Sequence, residues 1–261
     1  MVRVSVLMGI YNCEEYLQQA LDSLYAQTYR DFKIILCDDG SADNTYEIAT
    51  QNAAAHSNIV LIRNQRNMGL NHTLNRCLEL ADTEYCARMD GDDISLPTRF
   101  EEEVKFLDEH PEYAIVSTPM IYFDEEGDFR VGKGRGEVHK MDFIHGSPIC
   151  HAPCMIRTEV LKQVGGYAVD PRLLRVEDYD LWFRLYEVGY KAYNMEQPLY
   201  KMRDNRNAKA RRGWIPRRNE MYVMRQGFKR LSLPWYTWFC SFRPLIAYLA
   251  PSWLYDLYHK R

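Results

Sequence analysis

The chain has 261 residues, 46% of them hydrophobic, and a formal net charge of -3. That length suits one large α/β domain, or a domain with an appendage, and the apolar fraction is ample for a packed core. The small net charge hides a split: residues 1–200 hold 19 Lys/Arg against 33 Asp/Glu, net -14, and residues 201–261 hold 14 against 3, net +11.

In chain order, Val4–Met8 reads as a buried strand, followed by a loop over Gly9–Asn12 and an amphipathic helix near Glu14–Gln27 with Leu17, Leu21, Leu24 and Tyr25 on one face. Phe32–Cys37 is a second strand, ending in Asp38-Asp39-Gly40-Ser41. Helix (about 44–54), strand (59–62), helix (about 70–81) and strand (85–89) follow, the alternation of a parallel, doubly wound sheet. Ligands of such sheets bind beyond the carboxyl ends of the strands. Tyr11, Asn12, Asp38, Asp39 and the Asp90-Gly91-Asp92-Asp93 run should therefore share one edge, with five carboxylates converging there.

Asp-Gly-Ser makes a good turn, and Asp38, Asp39 or Asp43 can cap the following helix. Three Asp within four residues exceed what a turn needs, and like charges so close repel. Carboxylates separated by a small residue can ligate Mg²⁺ or Mn²⁺, which accept oxygen donors and retain waters and substrate phosphates. Seven cysteines, an odd and scattered set, do not form a disulfide framework, and no signal peptide precedes the first strand, so a reducing cytoplasm is the expected compartment. Cys150-His151-Ala-Pro-Cys154 lacks the second Cys/His pair of a zinc site and reads as thiols beside a turn. No apolar run is long enough to span a bilayer.

The segments VSVLMGIYNCEEYLQQALDSLYAQTYRDFKIILCDDGSADNT, NMGLNHTLNRCLELADTEYCARMDGDDISLPTRF, HAPCMIR, VGGY and VEDYDLWFRL, in this order over about residues 2–200, resemble the nucleotide-sugar-dependent glycosyltransferases of family 2 with the GT-A fold. The resemblance implies a catalytic domain over 1–200, with a nucleotide-sugar half (1–95) and an acceptor half (96–200), followed by a helical, basic and aromatic extension (201–261). It implies that Ile10, Tyr11, Asn12, Asp38 and Asp39 hold the nucleoside, Asp39 contacting the uracil edge of a UDP-sugar. Asp90, Gly91 and Asp92 match the D-x-D segment, with Asp90 nearer the ribose and Asp92 or Asp93 reaching a divalent metal. Arg88 pairs with either a carboxylate or a phosphate, and Arg203 or Arg206 closes over the diphosphate.

Glu177-Asp178 resembles the family's E-D motif, in which the Asp is general base. Inversion needs an acceptor hydroxyl activated opposite the leaving diphosphate, so the base belongs to a different segment from the metal site. The same two acids also suit the first turn of a helix, with Leu181, Trp182 and Leu185 packed inward. His145, His151 and Trp182 fall on the acceptor side, where a structural role for the histidines is the alternative. Gly165-Gly166-Tyr167 reads as a turn that lets backbone approach the sugar.

Residues 203–230 contain ten Arg/Lys and two acids. From Leu231, the residues Trp235, Trp238, Phe239, Phe242, Leu245, Ile246, Leu249, Trp253 and Leu257 recur at near-helical spacing, interrupted by Pro244 and Pro251. An aromatic amphipathic segment beside a basic run is the pattern of a helix lying on an anionic membrane, and packing on the protein or on a second copy is the alternative. The expected function is an inverting glycosyltransferase for a lipid-linked or polysaccharide acceptor, cytoplasmic and peripheral on the inner face of the plasma membrane. Nucleic acid is excluded as a partner by the acidic body. A metal-dependent nucleotidyltransferase or phosphohydrolase is disfavoured by the absence of a Gly-Lys phosphate loop, and a non-catalytic scaffold by intact Asp92 and Asp178.

Overall fold

The computed structural model describes residues 2–204 and 213–249; Arg206, Arg211, Arg212, Trp253 and Leu257 lie outside the described residues. Residues 2–138, 149–167 and 190–204 form one compact unit, and 139–148, 168–189 and 213–249 a second.

The first unit runs β1 (Val4–Ile10), α1 (Leu17–Tyr25), β2 (Phe32–Asp38), α2 (Thr45–Ala55), β3 (Ile59–Arg63), α3 (Leu70–Glu79), β4 (Tyr85–Asp90), β5 (Ile94–Ser95), α4 (Arg99–Glu109), β6 (Ile115–Ser117), β7 (Met120–Asp124), β8 (Gly127–Val131), β9 (Gly136–Glu137), β10 (Met155–Arg157), α5 (Thr158–Gln163), β11 (Ala192–Asn194) and β12 (Tyr200–Arg203), with α6 of the second unit between α5 and β11. An eight-stranded sheet has the order β3-β2-β1-β4-β10-β6-β11-β9, and a smaller one β5-β12-β7-β8. β1, β2, β3 and β4 are parallel, and β10 enters antiparallel between β4 and β6.

Central strands covered on both faces need continuous apolar runs. Val4, Val6, Met8, Ile34, Leu36, Ala87 and Met89 accordingly sit in the core. α1 buries Leu17, Ala20, Leu21 and Leu24 at helical spacing. It starts later than the periodicity predicts because Glu14 turns away to accept the Asn44 N–H and Nδ2, which ties it to the start of α2. The parallel register pairs Ile10 with Asp38 and Gly9 with Asp90, so three strand ends stand level at one edge. The chain order reverses beside β1, the switch point where α/β sheets open a crevice.

The second unit is helical: 3-10 turns at Lys140–His145, Pro171–Leu173 and Trp235–Phe242, with α6 (Glu177–Val188), α7 (Trp214–Arg230) and α8 (Arg243–Leu249). Phe143, Tyr179, Phe183 and Phe228 form its aromatic core, with ring centroids 4.7 Å apart for Tyr179–Phe183 and 4.8 Å for Phe143–Phe183. α7 lies close on α6 because Gly227 carries no side chain: a Cβ there would stand 2.3 Å from the Phe183 ring. The sequence division at residue 200 therefore differs from the observed one, in which α6 and residues 139–148 group with the C-terminal helices. Pro244 does not break the helical run. It occupies the second position of α8, where its missing N–H costs no helical bond.

Candidate functional site

At the level strand ends of the first unit a pocket of about 190 Å³ is lined by Gly9, Ile10, Tyr11, Asp39, Asn67, Gly69, Leu70 and Thr73. Asp39 is its polar anchor. Oδ1 accepts the Asn64 amide at 2.6 Å and the Met68 N–H at 2.8 Å, and Oδ2 accepts the Gly69 N–H at 2.9 Å. One lone pair of Oδ2 remains for a ligand N–H. Gly40 makes this loop contact feasible, since a Cβ there would lie 2.7 Å from the Arg66 backbone and φ is +73°. Asn12, at φ 46°, accepts the Ala42 N–H on its side chain and donates its own N–H to Ser41 Oγ, which leaves half-exposed Tyr11 at the pocket mouth.

The expectation of five converging carboxylates is corrected here. Asp38 is fully buried, pairs with Arg63 at 2.9 Å and accepts the Ser41 N–H, so it shapes the loop beneath the pocket and has no surface to offer a donor. Asp93 is also turned inward and accepts the Arg203 N–H at 2.8 Å. Burial, then the Asp90 and Asp92 charges, raise its carboxyl well above the usual range. Among the described residues no three His, Cys, Asp or Glu side chains gather to chelate an ion.

What remains is Asp90 and Asp92. Arg88, buried, donates to Asp90 Oδ1 at 2.6 Å, which makes it a structural ion pair and not a phosphate ligand, and answers in part how the acidic run is tolerated. Asp92 is exposed and accepts no side-chain hydrogen bond from another described residue; its carboxyl is raised by loss of water and then by the Asp90 charge. Such a carboxylate fits a hard divalent cation, because Mg²⁺ or Mn²⁺ is commonly held by one or two carboxylates with substrate phosphates. Gly91 seats the run against β1: a Cβ would meet Cys13 Sγ at 2.8 Å and Ile10 Cγ2 at 3.1 Å.

Arg203 holds this loop from β12. Its Nε donates to Asp92 O at 3.1 Å, Nη2 to Gln19 at 2.7 Å and Nη1 to Glu125 at 3.2 Å, and its guanidinium lies 4.0 Å from the Tyr16 ring centroid and 4.5 Å from that of Phe123. A guanidinium so occupied clamps the acidic run and is not free to close over a diphosphate. His151 Nε2 meets Tyr167 Oη at 2.8 Å, and burial with the nearby Arg88 charge holds the imidazole well below its ordinary range, hence neutral. The Gly165-Gly166 turn approaches α3 and not a ligand: Asn75 Oδ1 would be 2.5 Å from a Cβ at Gly166, and Asn75 bonds both the N–H and the C=O of Tyr167.

In the second unit Glu177 and Asp178 open α6, half-buried. Asp178 accepts the Ser147 hydroxyl at 3.1 Å, and burial followed by the Glu177 charge raises its carboxyl to about 6. Trp182 is fully buried, so it packs α6 and offers no ring face to a sugar. Asn67, Gly69, Leu70 and Thr73 were not singled out from sequence, although they lie in the NMGLNHT stretch that carried the resemblance, and Asn64 lies just before it.

The family profile described as Glycosyl transferase family 2 matches residues 5–165. The chain is 40% identical over 261 residues, 99% of its length and 94% of the relative's, to the Bacillus subtilis protein EpsE, which carries a glycosyltransferase name. It is 32% identical to the amylovoran biosynthesis glycosyltransferase AmsE of Erwinia amylovora, over 85% of this chain and 84% of the relative. The crystal structure of S. aureus TarS 1-349 in complex with UDP-GlcNAc superposes with a TM-score of 0.72 at 19% identity, covering 95% of this chain and 71% of that one. The architecture is thus that of the GT-A fold.

Proposed function

The chain belongs to glycosyl transferase family 2, and from that premise we propose that it moves a sugar from a nucleoside diphosphate sugar, a UDP-sugar, to an acceptor hydroxyl with inversion at the anomeric carbon. The observation that carries the donor assignment is the pairing, at one sheet edge, of the pocket anchored by Asp39 with the exposed Asp92 carboxylate, linked through Gly91 packed on Ile10. The open lone pair of Asp39 Oδ2 suits the imide N–H of uracil, and the rim formed by Tyr11 suits its ring face. Asp90 serves the ribose.

Asp92, assisted by the unpaired oxygen of Asp90, would hold a Mg²⁺ or Mn²⁺ ion. Such an ion supplies countercharge for a departing nucleoside diphosphate. The chain's own residues do the rest. Arg203 and Arg88 fix the acidic run so that little reorganisation accompanies the charge that develops there. Asp178 accepts the acceptor hydroxyl proton, and a carboxyl raised to about 6 is a stronger base than an ordinary aspartate while still ionised at neutral pH. Burial, and after it the Glu177 charge, keeps it raised. The acceptor is a polysaccharide or lipid-linked glycan of the bacterial surface, a reading supported by the amylovoran biosynthesis relative.

The test is binding and hydrolysis across a panel of UDP-, GDP- and dTDP-sugars, with Mn²⁺ or Mg²⁺ and then with EDTA. Turnover of a UDP-sugar that EDTA stops and Asp92→Ala abolishes is expected. Failure to bind any nucleotide sugar would overturn the reading.

A further inference from the structure

The Trp235–Phe242 segment of the second unit is built with its polarity reversed. Thr237 and Ser241 are completely buried, whereas Trp235 is 77% exposed and Phe239 67%, with Tyr236, Trp238 and Phe242 also exposed. The inward face is accounted for by hydrogen bonds: Thr237 Oγ1 donates to Pro234 O at 2.7 Å, Ser241 Oγ to Trp238 O at 2.7 Å, and Arg225 Nε to Ser241 Oγ at 3.2 Å. On the outward face Arg225 stacks 4.8 Å from the Phe242 ring centroid, and the remaining rings stay exposed. That face continues into α8 with Ile246 at 65% and Leu249 at 69% exposure.

Single exposed apolar side chains are ordinary, but these five fall within one eight-residue segment, and the Trp235 ring lies 6.3 Å from those of both Tyr236 and Phe239. With ~150–250 Å² available per aromatic side chain, five of them leave several hundred Å² of apolar surface, at or above the ~300–600 Å² of the largest patch on a typical monomer. A surface of that size calls for a non-aqueous partner.

Charge selects the partner. Residues 213–249 carry six Lys/Arg against a single acid, Glu220. Arg218, Lys229 and Arg243 are exposed. A second copy would bring the same positive charge to the contact, whereas an anionic phospholipid surface complements it. Trp and Tyr are also the side chains that settle where headgroups meet acyl chains. No helix among the described residues is long and apolar enough to cross a membrane.

We propose that the outward aromatic face of Trp235–Leu249 docks in the interfacial layer of an anionic phospholipid membrane, with exposed basic side chains of the same helical unit drawn to the headgroups. The contact is peripheral, made by rings inserted beside a charged surface.

Co-sedimentation of the full chain with phosphatidylcholine vesicles, with and without phosphatidylglycerol, tests this. Binding to the phosphatidylglycerol vesicles, weakened by salt, is expected. The Trp235→Ser/Phe239→Ser double variant should lower the partition constant at least ~10-fold, given the apolar area it removes. Its circular dichroism, thermal midpoint and nucleotide-sugar hydrolysis should match the parent, since both side chains point to solvent. Three results would each overturn the proposal: no vesicle binding by the parent, vesicle binding indifferent to phosphatidylglycerol, or a double variant that binds like the parent. A parent dimer that the double variant dissociates, without vesicle binding, would assign the face to a second copy instead.

Discussion

Asp178→Asn should remove most of the sugar transfer while leaving the fold at least as stable as the parent. Burial and the Glu177 charge raise the Asp178 carboxyl from 3.8 to about 6. At ~1.4 kcal/mol per pKa unit this amounts to about 3 kcal/mol against the charged form of an enclosed group. The side chain is partly accessible, so screening by water leaves about 1–2 kcal/mol. Because the folded pKa lies above the unfolded one, the fold favours the protonated acid. Its stabilisation is complete below about pH 4 and is lost as pH rises through about 6, so the charged base is a standing cost in neutral solution.

Asn carries no charge and can still accept the Ser147 hydroxyl. The variant should therefore gain about 1–2 kcal/mol at about pH 8 and nothing near pH 4, read by urea unfolding at both. Loss of a positioned base should lower turnover by ~10²–10⁴, or about 3–5 kcal/mol of barrier. Near-parental turnover with unchanged donor binding would refute the assignment of the base. A variant less stable than the parent at about pH 8 would refute the electrostatic argument.

Three further outcomes follow from the same geometry. The pH profile of transfer should fall on its acid side with a midpoint near 6, where Asp178 protonates, and a limb near 4 would show that some other carboxylate limits the rate. Arg203→Ala removes the clamp on Asp92 together with two ring contacts, so a donor KM raised ~10-fold and a loss of about 1–3 kcal/mol are expected; Arg203→Lys should rescue little, lacking the planar fork. In Gly91→Ala the new methyl meets Cys13 Sγ at 2.8 Å, so about 1–3 kcal/mol should be lost, and adding Cys13→Ala should restore part of it as measured by thermal unfolding.

The sequence alone determined the parallel half of the large sheet and the edge at which its strands end. β1, β2 and β4 are largely apolar because both of their faces are covered, with Ser5, Lys33 and Arg88 as the exceptions, and β2 and β4 end in Asp38 and Asp90. Because parallel strands share a direction, the sequence sets Tyr11, Asn12, Asp38, Asp39 and Asp90 at one edge. Asp92 was legible as one of three carboxylates where a turn needs one or two, whereas Asp178 suits an ordinary helix start and stood out only through the resemblance of Glu177-Asp178 to the family's E-D motif.

Tertiary structure decided how those carboxylates are used. Asp38 and Asp93 look like Asp92 in the sequence, yet Arg63 and the Arg203 N–H draw them inward and leave Asp92 at the surface. Arg203 lies 111 positions from Asp92, and only the pairing of β12 with β5 brings it behind the acidic run. The grouping of α6 with α7 was likewise hidden, because an apolar helix face announces burial but not its partner. So was the reversal at Trp235–Phe242. Aromatic spacing predicts a helix with one apolar side, but which side meets the protein depends on contacts with other elements, such as the hydrogen bond that Arg225 of α7 donates to Ser241 Oγ. Periodicity is a local property and survives in the sequence; the choice among chemically equal side chains is made by contacts between distant segments.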